Sequence, residues 1–329
     1  MIPFEYRRES DPSDAVAAVA DRPTAAFIGG GTNLVDHMKL GIASPDLLVD
    51  VSSIDLDRVE ETGTGGVRIG AGVRNSDLAA HPLIRHRYPV LARALLAGAS
   101  GQLRNAATTG GNLLQRTRCP YFQDVTTACN KREPGSGCSA IGGYEREHAV
   151  LGASEHCIAV HPSDMAVALV ALDAAVVTFG PAGERRMPVS DLYRLPGANP
   201  ETDTVLEHGE LITGVEVPFL ALAQTSTYRK VRDRASYAFA LVSVAAALEV
   251  RDGQVADVRL ALGGVAHKPW RASVAEESLR GGPADEATFR AAAEAELRAA
   301  QPRPGNAYKV PMAQNTIVAV LRGLSEEQE

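Results

Sequence analysis

All four cysteines of this 329-residue chain lie between Cys119 and Cys157, and this feature restricts the possible folds most. The same stretch contains Pro134-Gly135-Ser136-Gly137 and Gly142-Gly143, which are typical of turns and not of regular structure. A loop of this length inside a compact domain is usually functional or disordered, and four thiols favour a function. The sequence therefore predicts one ligand site on an irregular loop.

The cysteine spacing favours an iron–sulfur cluster. Cys119, Cys129, Cys138 and Cys157 form no C-x-x-C pair, so the common zinc-site patterns do not apply. A [4Fe–4S] cluster needs four thiolates gathered in three dimensions, and ligands on loops can be irregularly spaced. Zinc and unligated thiols or disulfides are the alternatives. Nothing resembles the secretion signal that a disulfide framework would accompany.

The composition is that of a globular protein without a basic face. Apolar residues make up 45% and charged residues 22%, with a net charge of −7. Nucleic acid and anionic membranes are therefore poor candidates for partners. The longest apolar run, 165–177, is too short to span a membrane and includes Asp173.

Hydrophobic patterning predicts two domains, 1–221 and 222–329, joined by a linker at 221–225. The first domain is expected to contain helices at 13–20, 88–97 and 163–172 and strands at 25–28, 47–51, 67–71 and 211–217. The second is expected to be α+β, with strands at 237–250 and 255–262 and helices at 271–279, 286–300 and 313–324.

Two glycine-rich segments predict a phosphate site. Gly29-Gly30-Gly31-Thr32-Asn33 follows a strand directly, and successive glycines let backbone N–H groups approach an anion. It is neither G-x-G-x-x-G, because Leu34 replaces the last glycine, nor a P-loop. A tight structural turn is the alternative. Ala107-Thr108-Thr109-Gly110-Gly111-Asn112 has the same character, and two such loops would suit the pyrophosphate of a dinucleotide.

Other polar residues have plainer interpretations. Asp164 is interpreted as a charge in the first turn of its helix. Lys230 is either a cation that would stabilise an anionic reduced flavin or a solvated strand end. His156 and His161 flank Cys157, and we expect solvent-exposed or structural roles for both. No catalytic triad, H-E-x-x-H motif or carboxylate pair is visible, so no residue of this chain is predicted to be catalytic. The pattern indicates electron transfer by bound cofactors.

Four segments then occur in a recognisable order: Phe27-Ile28-Gly29-Gly30-Gly31-Thr32-Asn33-Leu34, residues 107–113, residues 161–166 and residues 210–213. Together they resemble the FAD-binding subunit of the molybdenum hydroxylases, a family that includes xanthine dehydrogenase and carbon monoxide dehydrogenase. The cysteine segment, beginning Cys119-Pro120-Tyr121-Phe122, resembles the FAD/[4Fe–4S] subunit of periplasmic aldehyde oxidoreductase. Xanthine dehydrogenase lacks this insertion.

The resemblance implies a fold and a set of site residues. The fold would be α+β, with a vanillyl-alcohol-oxidase (PCMH) type FAD-binding domain of two α/β subdomains and a small C-terminal α+β domain. FAD would bind along residues 27–34, with Thr109, Gly111 and Asn112 on its second side. Asp164 would lie near the ribose or adenine, and Ile212 and Lys230 beside the isoalloxazine. Cys119, Cys129, Cys138 and Cys157 would hold the cluster.

The implied function is electron transfer inside a heterotrimeric molybdenum aldehyde oxidoreductase. A large molybdopterin-binding subunit would oxidise the aldehyde. A small subunit with two [2Fe–2S] clusters would pass electrons to this FAD, and an external acceptor would remove them. The alternatives are the flavin subunit of another molybdenum hydroxylase or CoA-thioester reductase, or a zinc-stabilised nucleotide-binding scaffold. We expect a cytoplasmic location, or a periplasmic one if a partner carries an export signal.

Overall fold

Three sheets organise the chain. The computed structural model describes residues 1–328, so position 329 of the predicted C-terminal domain lies outside the described residues. The first sheet is parallel, in the order β1-β3-β2. Its elements are β1 (Glu5–Arg8), α1 (Pro12–Ala20), β2 (Ala26–Ile28), α2 (Leu34–Lys39) and β3 (Leu47–Asp50). The first glycine segment leaves the carboxyl end of β2 and leads directly into α2.

The second sheet is antiparallel, in the order β4-β5-β8-β6-β7. Its strands are β4 (Val59–Glu61), β5 (Val67–Gly70), β6 (Ala175–Gly180), β7 (Gly183–Pro188) and β8 (Leu211–Val217). The helices between its strands are α3 (Asn75–Ala80), α4 (Pro82–Arg87), α5 (Pro89–Ala97), α6 (Gly101–Ala106), α7 (Thr109–Leu113), α8 (Pro120–Gln123), α9 (Asp164–Ala171) and α10 (Val189–Leu192).

The third sheet has the order β12-β11-β10-β9 and three helices on one face. Its elements are β9 (Ser226–Val231), β10 (Val242–Arg251), β11 (Gln254–Gly263), β12 (Trp270–Arg271), α11 (Ser273–Leu279), α12 (Glu286–Leu297) and α13 (Lys309–Glu326). Val244 and Leu248 of β10 pack on the helix side, whereas Ala245 packs in the core that contains α9. Because both faces of β10 are covered, its sequence is a nearly continuous apolar run.

Helix α9 lies at the centre of the molecule, and all eight of its residues are buried. Ser163 caps it as predicted, since its hydroxyl accepts a hydrogen bond from Ala166 N at 3.0 Å. The first residue of α9 is Asp164. The fold therefore places this carboxylate in the interior, although a first-turn acid is more commonly solvated.

Most predicted elements are present, with three corrections. The strand predicted from residue 237 begins at Val242, because Tyr237 has a φ of 51° that an extended strand does not allow. The predicted linker is a 3₁₀ turn, Ala221–Gln224, with Leu222 and Ala223 buried. Strands β1, β4, β6, β7, β9 and β12 and helices α2–α4, α6–α8 and α10 were not predicted. The domain division at residue 221 stays a prediction. No helix within residues 1–328 is long and apolar enough to cross a membrane.

Candidate cofactor site

The two glycine segments are packed directly against each other. A Cβ atom on Gly30 would lie 2.0 Å from the carbonyl oxygen of Ala106, so only glycine allows the two backbones to approach this closely. Asn33 Oδ1 adds a link by accepting a hydrogen bond from Arg116 N at 3.0 Å. The contact between the loops, called here the loop junction, is therefore built mainly from backbone.

Two cavities meet at the loop junction. The smaller, of about 400 Å³, is lined by residues 26–34 and by Ile212. The larger, of about 660 Å³, is lined by Asn112 and Asp164. Both are lined by Thr32, Asn33 and Gly111. An elongated ligand with an anionic centre and one flat group at each end matches this arrangement.

Asp164 belongs to a buried polar cluster on the wall of the larger cavity. Its carboxylate accepts hydrogen bonds from Lys230 Nζ at 2.7 Å and from Tyr228 OH at 2.5 Å. Burial, together with the charge of Asp164, raises the pKa of Tyr228 well above its ordinary value, so the hydroxyl stays a donor. The interpretation of Lys230 as a solvated strand end is wrong, because its side chain is only 3% exposed.

The roles implied for Asp164, Ile212 and Lys230 stay predictions, and the structure shows which of the three residues are adjacent. Asp164 was expected at the adenine end, with the other two at the isoalloxazine. The structure pairs Asp164 with Lys230 beside the larger cavity and places Ile212 on the smaller one. The motif match correctly selected buried residues but could not determine which of them face the same space.

The two neighbouring threonines of the second glycine segment have different surroundings. Thr109 is fully buried and lines neither cavity, and its hydroxyl donates to the carbonyl of Val73 at 3.1 Å. Thr108 lines the smaller cavity, and its Oγ1 accepts a hydrogen bond from Gly111 N at 3.2 Å. Identical side chains left no sequence signal that could separate the two.

A short hairpin between Cys129 and Cys138 brings parts of the cysteine loop together. Cys129 and Cys138 form an antiparallel bridge, and Asn130 N donates to the carbonyl of Gly137 at 2.7 Å. The side chain of Asn130 also donates to the carbonyl of His156 at 3.1 Å, next to Cys157. The loop therefore brings together three cysteines that are distant in sequence.

The fourth cysteine, Cys119, lines the larger cavity and precedes α8. Burial raises the pKa of its thiol to about 12, and the charges of Cys129 and Cys157 contribute to the increase. Burial likewise raises the pKa of Cys157 to about 11, with Cys138 and Cys129 contributing. All four thiols are free, and across residues 1–328 no three His, Cys, Asp or Glu side chains are close enough to share a single metal ion.

A buried ionic network, which the sequence analysis missed, joins the cysteine loop to its surroundings. Lys131 Nζ contacts Asp203 Oδ1 at 2.5 Å and His267 Nε2 at 2.8 Å, and Arg116 Nε donates to Asp203 Oδ2 at 2.6 Å. Burial by itself would raise the pKa of Asp203, but Arg116 and Lys131 outweigh it and lower that pKa to about 2. Arg116 also contacts Asn33, so the network extends to the loop junction.

Comparison with known proteins agrees with this geometry. Residues 2–220 match the family described as the FAD binding domain in molybdopterin dehydrogenase, and residues 226–324 match the CO dehydrogenase flavoprotein C-terminal domain. The chain is 53% identical to the aldehyde oxidoreductase FAD-binding subunit of Escherichia coli (strain K12), across 98% of each chain. It is 28% identical to the glyceraldehyde dehydrogenase medium chain of Sulfolobus acidocaldarius, across 84% of this chain and 81% of that one.

Solved structures share the fold. A carbon monoxide dehydrogenase chain from Hydrogenophaga pseudoflava matches with a TM-score of 0.77 and 27% identity, over 99% of each chain. Quinoline 2-oxidoreductase from Pseudomonas putida 86 matches with the same TM-score and 23% identity, over 99% of this chain and 98% of that one. The predicted α+β fold of the PCMH type is confirmed.

Proposed function

The chain belongs to the FAD-binding subunits of the molybdenum hydroxylase family, and from this premise we propose that it is the FAD and [4Fe–4S] electron-transfer subunit of a molybdenum aldehyde oxidoreductase. The full-length similarity to the aldehyde oxidoreductase subunit of E. coli is the observation that carries the choice of substrate class. This chain would hold redox cofactors, and the aldehyde would react on a partner subunit.

The two cavities fit an extended FAD. Its pyrophosphate would lie at the loop junction, against Thr32, Asn33 and Gly111. We place the isoalloxazine in the larger cavity, beside Asp164, because Cys119 lines the same cavity and electron transfer favours a short separation. The adenosine would then occupy the smaller cavity, near Ile212. When bound, FAD would accept and release electrons one or two at a time.

The cysteine loop offers four free thiols for a [4Fe–4S] cluster. Such a cluster is several atoms across, so its thiolates surround it and need not converge as the ligands of one ion do. The bridge between Cys129 and Cys138 and the contact of Asn130 beside Cys157 support this grouping. The partners would be a large molybdopterin-binding subunit and a small subunit with two [2Fe–2S] clusters, and an external acceptor would take the electrons.

Cofactor analysis of purified protein tests the proposal. Anaerobically prepared full-length chain should contain about one FAD and about four irons, with flavin bands above broad cluster absorption. Acid precipitation should release the flavin, since no covalent linkage motif is present. Zinc in place of iron would contradict the cluster assignment.

Catalytic assays test the complex. Co-expression with the neighbouring genes should yield a heterotrimer that oxidises aldehydes. The same chain purified alone and free of molybdenum should not turn over aldehydes. Activity of the isolated chain would exclude the proposed division of labour.

A further inference from the structure

His148 lies in the cysteine loop and contacts a proposed cluster ligand. Its ring Nε2 is 3.2 Å from Cys119 Sγ, and the residue is only 2% exposed. The other ring nitrogen, Nδ1, is buried and has no hydrogen-bond partner among the described residues. The sulfur is therefore the one polar contact of this ring within residues 1–328.

The direction of this hydrogen bond follows from the chemistry of the sulfur. A cysteine that binds iron is a thiolate, which only accepts hydrogen bonds. The nitrogen that faces it must then carry the proton, so the geometry assigns the Nε2–H tautomer to a neutral His148. The backbone N–H of Phe122 donates to the carbonyl oxygen of Cys119 at 3.1 Å, so His148 is the group that contacts the sulfur. Cys119 is thus placed to accept a hydrogen bond from His148.

The C-terminal part of the chain holds His148 in place. Lys309 Nζ donates to the carbonyl oxygens of Glu147 at 3.1 Å, His148 at 3.0 Å and Gly264 at 2.6 Å. Asn306 Nδ2 donates to the carbonyls of His148 at 3.3 Å and Ala149 at 3.2 Å. Lys309 and Asn306 are both fully buried. The backbone that carries the histidine is therefore fixed by side chains more than 150 positions away.

Residues 301–309 hold the backbone on both sides of His148, and these contacts are called the clamp. Tyr308 OH donates to the carbonyl of Arg146 at 2.8 Å, and Gln301 N donates to the carbonyl of Val150 at 2.7 Å. Every backbone carbonyl from Arg146 to Val150 accepts a hydrogen bond from residues 301–309. This half of the cysteine loop therefore has an ordering scaffold of its own.

We infer that His148, positioned by Lys309 and Asn306, donates a hydrogen bond to the Cys119 thiolate and thereby sets the reduction potential of the cluster. The inference rests on the proposed [4Fe–4S] site. Hydrogen bonds to ligand sulfurs withdraw electron density and favour the reduced cluster. His148 is thus a positioning and tuning residue that does not itself bind iron.

Three variants of the full chain, purified anaerobically, test this role. His148→Leu removes the donor and should lower the midpoint potential of the cluster and change the EPR spectrum of the reduced protein. Iron and FAD contents should stay at the wild-type level. His148→Gln keeps an N–H at a similar reach and should return the potential towards the wild-type value. His156→Leu is the control, because His156 is exposed beside Cys157 and its ring makes no hydrogen bond in the described part of the chain.

The outcomes separate the inference from the proposed function. Absence of iron from the wild-type protein would contradict the proposed [4Fe–4S] site itself. If iron is present and His148→Leu leaves the potential unchanged, the hydrogen bond does not tune the cluster. If His148→Leu loses iron as Cys119→Ser does and His148→Gln does not restore it, His148 is a ligand or a folding residue, and the tuning role is wrong.

Lys309→Met tests the clamp independently. Loss of the ammonium releases the carbonyls of Glu147 and His148, so the potential should shift in the same direction as in His148→Leu. The double variant with His148→Leu should show no further shift, because both changes act through one hydrogen bond. Additive shifts would overturn the positioning role of Lys309.

Discussion

The loop junction and the cysteine loop are neighbours, yet the chain builds them in different ways. The loop junction depends on glycine, because the absence of a Cβ atom at Gly30 lets two backbone segments come into contact. The cysteine loop depends on side chains that are present and distant in sequence, such as Lys309 and Asn306. The comparison indicates that a site can be ordered by local backbone geometry or by long-range side-chain contacts. Substitutions at Gly30 or in the cysteine hairpin should therefore affect mainly their own region.

Gly30→Val should have the largest effect. The new Cβ would overlap the backbone of the second glycine segment, at a cost of about 3 kcal/mol or more. FAD affinity should then fall about a hundredfold or more, while iron content stays close to that of the wild type. Flavin and iron analysis of the purified variant measure both. Gly101→Ala is the control, because a Cβ there meets open space. Stoichiometric FAD in the Val variant would contradict the role of the loop junction.

Cys129→Ser should lower the iron content and leave FAD largely in place, which is the reverse of the result expected for Gly30→Val. Loss of one thiolate should remove or strongly deplete the cluster, whereas FAD should change by less than about twofold because the loop junction does not involve the cysteines. Proteolysis should open the hairpin around residues 128–139 and spare 145–150, which residues 301–309 hold. Residues 301–309, and not metal ligation alone, would then order the second half of the loop. Cleavage throughout 119–157 would show that the clamp is too weak.

Asp203→Asn should weaken both regions, because Asp203 connects Lys131 of the cysteine loop to Arg116 near the loop junction. Lys131 is only 1% exposed, so the loss of its carboxylate partner should cost on the order of 3 kcal/mol in unfolding free energy. Denaturant unfolding measures the change. Asp55→Asn, which breaks a pair that is about two-thirds exposed on both sides, should cost less than about 1 kcal/mol.

The difference in unfolding free energy between the wild type and Asp203→Asn should depend on pH in a definite direction. The pKa of Asp203 is about 2 in the folded chain and 3.8 ordinarily, so its stabilising effect is fully present above about pH 4. It is lost as the pH falls towards 2. The stability gap between wild type and Asp203→Asn should therefore narrow over that range. A gap that widens on acidification would exclude the assigned ion pairs.

Tyr228→Phe should have the smallest effect. It removes one buried hydrogen bond to Asp164, which keeps Lys230 as a partner, so the loss should be about 1 kcal/mol of unfolding free energy. Thermal unfolding and the flavin absorption bands detect it. Tyr6→Phe removes a comparable hydrogen bond to Asp50 at an exposed position and should cost less. Equal losses of unfolding free energy in Tyr228→Phe and Tyr6→Phe would show that burial does not strengthen the hydrogen bond to Asp164.

Prediction from sequence succeeded where the signal was local. Ser163 and the apolar residues after it indicated α9, and strand 211–217 was predicted with the bounds that the structure has. It failed where the outcome depended on distant partners. The ion pair of Lys230 with Asp164 was not predicted, because nothing near Lys230 in the chain indicates it. The burial of Thr109 away from both cavities was not predicted, because the neighbouring Thr108 has an identical side chain.

The sequence by itself determined the family, part of the strands and helices, the two glycine segments and the confinement of all thiols to one loop. These depend on residue type and on spacing along the chain. Only the tertiary structure decided that Asp164 faces Lys230, that Ile212 lines the other cavity, and that Lys309 fixes His148 beside Cys119. Burial turns a solvated charge into a group that needs a partner, and the partner is whichever residue the packing of the three sheets brings within reach.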